Sequence, residues 1–124
     1  MTKKILIIDD EKDICAVLRV CLEKFAQWQA IIATSGEEGL LKAKLELPDG
    51  ILLDVSMPNM DGFQVWEKLQ GDSATRSIPV ILVTAKVLSQ DQQRFASMGV
   101  AGVITKPFNP VTIWQEVVNI ISQY

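Results

Sequence analysis

The chain has no histidine and only two cysteines. Without imidazoles, two thiols cannot furnish the nitrogen and sulfur donors of a zinc site. Cys15 and Cys21 lie six apart on one predicted helix and point about 120° away from each other, so they cannot bridge. Both read as small core-facing residues. A basic excess is also missing: 12 Lys and Arg stand against 15 Asp and Glu, for a formal charge of -3. That argues against direct binding of nucleic acid, while leaving room for a separate output domain that does so. No apolar stretch approaches the ~20 residues of a membrane span. The start, Met1-Thr2-Lys3-Lys4 before four apolar residues and two acids, reads as a strand and not as a secretory signal, which makes the cytoplasm the expected location. The turn after the first strand, Asp9 to Lys12, has no glycine with which to cradle nucleotide phosphates. Repeats, low-complexity stretches and linkers are absent too. What is present is 124 residues, 48% hydrophobic and 22% charged, which predicts one globular domain over 1–124.

Short apolar runs alternate with longer segments of helical period. Strands are predicted at about 4–8, 30–33, 50–54, 78–83 and 102–105. Ile14, Val17, Leu18, Cys21, Leu22 and Phe25 fall on one face of a first helix. A second starts at Ser35, with Glu38 completing a capping box, and runs through Leu40, Leu41 and Leu45. Asp61 caps a third, carrying Phe63, Val65, Trp66 and Leu69. Ser89 with Gln92 starts a fourth through Phe95 and Met98, stopped by Gly99. Asn109-Pro110 caps a fifth, striped by Ile113, Trp114, Val117, Val118 and Ile121. Trp28, Trp66 and Trp114 read as packing residues. Five βα units give an α/β fold: a five-stranded parallel sheet, doubly wound with five helices. Right-handed crossovers and the strand order 2-1-3-4-5 fit best, with any ligand at the carboxyl ends of the strands.

Those ends carry the chemistry. Asp9 and Asp10 follow Ile5-Leu6-Ile7-Ile8, and Asp54 follows Ile51-Leu52-Leu53. Three carboxylates about 5 Å apart repel by roughly 3 kcal/mol per pair at an effective dielectric near 20. A hard divalent cation is the usual compensation. Thr84 ends the run before it and Lys106-Pro107 follows Val103-Ile104-Thr105, adding a hydroxyl and an ammonium to the same edge. Singly, each has an ordinary reading: helix caps for Asp9 and Asp10, a strand-end acid for Asp54, a turn residue for Thr84, a solvated charge for Lys106. Together they describe a site that receives and holds a phosphoryl group.

Four segments carry a family resemblance: Ile8-Asp9-Asp10-Glu11, Leu52 through Gly62 (Leu-Leu-Asp-Val-Ser-Met-Pro-Asn-Met-Asp-Gly), Val83-Thr84-Ala85, and Thr105-Lys106-Pro107-Phe108. In this order, each at a strand end, they make the chain resemble the receiver domain of two-component response regulators, the chemotaxis regulator type included. The resemblance covers essentially the whole chain. It implies a phosphoacceptor switch in a two-component system or phosphorelay, with Asp54 as the phosphoacceptor and Thr84 and Lys106 serving the transfer. It implies Mg²⁺ bound directly by Asp10, Asp54 and the backbone carbonyl of Ser56, with Asp9 acting through a metal-bound water. A cis Lys106-Pro107 bond is implied as well. The donor would be a sensor histidine kinase or a histidine phosphotransfer protein, since a chain without histidine cannot supply the phosphohistidine itself. The recipient of the signal is an effector protein or domain that the sequence does not name. A homodimer through the face of the fourth and fifth helices is left open.

Val103 stands where receivers often carry Tyr or Phe, three residues before the lysine. A β-branched valine has no long rotameric arm, so a shift of the backbone or of the fourth helix, coupled to Thr84 with Val103 as a passive filler, is the expected output. Ser56 and Lys86 should flank the path of an attacking water. Two other readings compete. A haloacid-dehalogenase-like phosphatase would need Asp-x-Asp, where this chain has Asp54-Val55-Ser56, so the chain is not expected to be a turnover enzyme. A receiver-like interaction module working without phosphorylation is the alternative in which the same fold takes no phosphate.

Overall fold

The structure is a computed structural model describing residues 2–85 and 88–124. Five strands, β1 (Lys4–Ile8), β2 (Gln29–Ala33), β3 (Gly50–Asp54), β4 (Val80–Thr84) and β5 (Gly102–Thr105), form one parallel sheet in the order β2-β1-β3-β4-β5. Helices α1 (Lys12–Cys21), α2 (Gly36–Glu46), α3 (Gly62–Gln70), α4 (Ser89–Met98) and α5 (Ile113–Ile121) connect and cover them. None of the described helices is long and apolar enough to cross a membrane.

The sheet divides two apolar clusters, because successive strand residues point to opposite faces. Ile5, Ile7, Leu52, Ile81 and Ile104 meet Cys15, Leu18, Val117 and Ile121 from α1 and α5. Leu6, Ile8, Ile51, Leu53 and Leu82 meet Ala43, Val65, Leu69 and Phe95 from α2, α3 and α4. β3 and β4 are buried along their whole length, as central strands covered on both sides should be.

Several elements depart from the sequence expectation. After Cys21 the first helix widens into a π-type turn over Leu22–Ala26, closed by Gln27 at φ 59°. Val17 of α1 and Phe25 of that turn are exposed; Phe25 stacks on Trp114 of α5, centroids 6.1 Å apart. Ser35 does cap α2, its Oγ accepting from the Glu38 N–H, but Glu38 Oε1 turns back to the Thr34 N–H at 2.6 Å and leaves the box half made. Leu41 and Leu45 face solvent, and α2 packs instead through Gly36, Gly39 and Ala43. A Cβ at Gly39 would stand 2.6 Å from Ile8 Cδ1, so the missing side chain is what lets α2 lie against β1. β4 begins at Val80 rather than 78 and takes in Thr84. Leu88, not Ser89, occupies the cap position of α4. α5 starts three residues after Pro110, because the Asn109 side chain accepts from the Val111 N–H and fixes a turn first. Asp61 with Gln64 forms a full capping box on α3, and Gly99 ends α4 at φ 78°, in the left-handed region glycine enters without strain.

Candidate functional site

Parallel registry delivers the site residues to one edge. Ile8 pairs with Leu53, so the residues that follow, Asp9 just past β1 and Asp54 at the end of β3, come to the same edge of the sheet. Thr84 pairs with Thr105, and the next backbone N–H, that of Lys106, donates to the Thr84 carbonyl at 2.9 Å. Asp9, Asp54 and Thr84 are 2%, 4% and 1% exposed.

Lys106 is the electrostatic centre. Its Nζ lies 2.9 Å from Asp9 Oδ2, 3.2 Å from Glu11 Oε1 and 3.6 Å from Asp54 Oδ1. Burial works against the ammonium, but the hydrogen bond and charge of Asp9, together with Asp54, outweigh it and hold the Lys106 pKa above its ordinary value. The Asp54 carboxyl is pushed up to about 6, first by burial and next by the neighbouring Asp9 charge, with Lys106 and the Ser56 N–H pulling the other way. That N–H reaches Asp54 Oδ1 at 3.3 Å. The Lys106-Pro107 peptide is cis.

Oxygens of Asp9, Glu11 and Asp54 lie within 4.8 Å of one another, the one metal-competent trio among the described residues. Asp10 is half-buried and is not in that trio. Glu11 lies in the first sequence motif, where the resemblance implies no role for it. Its backbone N–H donates to Asp9 Oδ1 at 2.9 Å, and this tight turn swings its carboxylate toward Lys106. An acid two residues after a strand-end aspartate was the available signal. Lys86 lies outside the described residues.

Cys15 and Cys21 are free and buried, and each thiol donates to a backbone carbonyl, Asp9 O at 3.2 Å and Pro110 O at 3.0 Å. Burial, with the Asp9 charge, pushes the Cys15 thiol up to about 11. Beside the carboxylates a groove of about 380 Å³ is lined by Ile14, Val17, Phe108 and Pro110, with Glu11 and Lys106 at its polar end. It adjoins a second apolar hollow, of about 410 Å³, that shares Val17 and Pro110 and extends to Phe25.

Residues 5–118 match the response regulator receiver domain family. The chain belongs to that family. Receivers are the phosphoacceptor switches of two-component systems. Among relatives, PilH of Pseudomonas aeruginosa is 36% identical over 110 residues, covering 89% of this chain and 90% of that protein. The alkaline phosphatase synthesis transcriptional regulatory protein PhoP of Bacillus subtilis is 39% identical over 110 residues, or 89% of this chain but 45% of PhoP. The response regulator PleD of Caulobacter vibrioides is 38% identical over 94% of this receiver, which spans 26% of PleD. The receiver thus spans less than half the length of those two regulators. The chemotaxis protein CheY4 of Vibrio cholerae superposes with a TM-score of 0.88 at 28% identity, over 97% of this receiver and 99% of CheY4.

Proposed function

We propose that this receiver accepts a phosphoryl group on Asp54 from a phosphohistidine, carried by a sensor histidine kinase or a histidine phosphotransfer protein. The observation that carries the reading is the Lys106 ammonium lying between the buried Asp9 and Asp54 carboxylates, at the mouth of an apolar groove. An Asp54 oxygen attacks phosphorus in line; the P–N bond to the donor breaks, and its electron pair remains on the imidazole nitrogen, which takes a proton. Lys106 moves from carboxylate to phosphoryl oxygen as a point charge, and Thr84 hydrogen-bonds a second oxygen. In the assignment the resemblance implies, Asp10, Asp54 and the Ser56 carbonyl would hold Mg²⁺ directly and Asp9 through a bound water, and the hard oxygens of Asp9, Glu11 and Asp54 gathered at this edge suit such an ion. Bound there, Mg²⁺ would supply charge neutralisation and orientation of the phosphoryl oxygens.

The groove along α1 supports a helical donor: Ile14, Val17 and Phe108 offer apolar contact within reach of the acid cluster. The phosphoryl adds about -1.5 to -2 charges at pH 7, which biases the surface an effector reads. The receiver serves as acceptor and not as a turnover enzyme, so an external phosphate ester such as p-nitrophenyl phosphate should not be hydrolysed catalytically. A cytoplasmic setting belongs to the same reading.

The test is intact mass after incubation with Mg²⁺ and phosphoramidate. One phosphoryl adduct is expected, lost with chelator and in Asp54→Asn. No adduct in the wild type would favour the phosphate-independent interaction module.

A further inference from the structure

Val103 cannot act as a swinging ring, yet an aromatic bracket elsewhere joins the acceptor to α4. The N–H of Gly62, the first residue of α3, donates to the Val55 carbonyl at 2.9 Å. A Cβ at Gly62 would stand 2.4 Å from the Asp54 carbonyl oxygen and 2.7 Å from Val55 Cα. The start of α3 therefore rests directly on the acceptor's own backbone. The next residue is Phe63. Its ring stacks on Phe95 of α4, centroids 6.0 Å apart at 24°, and the Arg94 guanidinium carbon sits 3.3 Å from the Phe63 centroid.

From the side of α4 the bracket matters more. Phe95 is the only fully buried side chain on that helix; Met98 packs partly against the same cluster. A helix anchored so thinly moves at little cost. Val103 lies half-buried in that cluster, too, and fills space without a lever.

We propose that the Phe63–Phe95 stack, clamped by Arg94, couples the phosphorylation state of Asp54 to the position of α4. The inference rests on the reading of Asp54 as phosphoacceptor. Aromatic stacking and a cation over a ring face are orientation-dependent. A displacement of the β3–α3 loop by a bound phosphoryl tilts Phe63, and Phe95 with Arg94 transmits the tilt.

The experiment records amide NMR spectra of the full chain with Mg²⁺, before and after beryllium fluoride, a phosphoryl analogue for carboxylates. Wild type, Phe63→Leu and Arg94→Gln are compared. Adduct formation with phosphoramidate, read by mass, is measured in parallel. The expected result is a shift of α4 amides in the wild type that is lost in Phe63→Leu and reduced in Arg94→Gln, with all three proteins still forming the adduct. Equal α4 shifts in all three, or adduct formation with no α4 shift in the wild type, would overturn the bracket while leaving the acceptor assignment intact. A wild type that forms no adduct would overturn both. Arg94 is exposed, so its variant keeps the test decisive if Phe63→Leu fails to fold.

Discussion

At the scale of single residues, Asp54 sets a conflict between stability and function. Its folded pKa, about 6 against an ordinary 3.8, means that the native protein holds this proton longer than the unfolded chain does. The group's contribution to stability is therefore highest below about pH 4, falls as pH rises toward 6, and is flat above. Ionised at neutral pH, it costs the metal-free fold on the order of 3 kcal/mol. Urea unfolding in chelator across pH 3.5–7 should show that decline for the wild type but not for Asp54→Asn, and Mg²⁺ should raise the wild-type midpoint far more than the variant's. Lys106→Ala should leave Asp9 and Asp54 without their shared cation, weakening the metal-free fold and slowing adduct formation; mass-detected rates would separate the two effects. Cys15 predicts a different kind of silence. Buried, hydrogen-bonded and with a pKa near 11, it should resist iodoacetamide in the native state and react only on unfolding.

Helix ends make the element-scale predictions. Gly99 stands at φ 78° with nothing within 4 Å of an added Cβ, so Gly99→Ala should cost about 1 kcal/mol, purely as backbone strain. Gly62 is the opposite case, with ordinary torsions but a backbone oxygen where the Cβ would go. Gly62→Ala should cost about 3 kcal/mol and also impair the acceptor. Thermal melts combined with adduct yield would distinguish them, since only Gly62 touches Asp54. The contrast also shows what was legible in the sequence. Gly99 could be read as a stop because a local rule covers it, and Asp61 as a cap for the same reason. Long-range fit decides Gly62 and Gly39, and no local pattern announces that. Leu41 and Leu45 misled because a helix packed through glycine and alanine leaves its leucines outside.

For the molecule as a whole, a parallel sheet with Asp9, Asp54, Thr84 and Lys106 at one edge was readable, because apolar runs buried on both faces demand such a sheet, while the strand order came with the family resemblance. Side-chain reach was not readable. Glu11 joins the site through a two-residue turn, whereas adjacent Asp10 stays outside the trio.

The division of the core into two clusters has a consequence for how the chain is made. α5, the last element of the receiver, seals the same cluster as α1, its first helix, and Phe25 against Trp114 stitches the two together. The far side of the sheet, built from β1 through α4, can assemble while α5 is still emerging, but the near side waits with its isoleucines uncovered. Completion of this receiver is thus a single late event, and a ribosome-stalled chain ending before Ile113 should bind more of a hydrophobic dye than the complete receiver does.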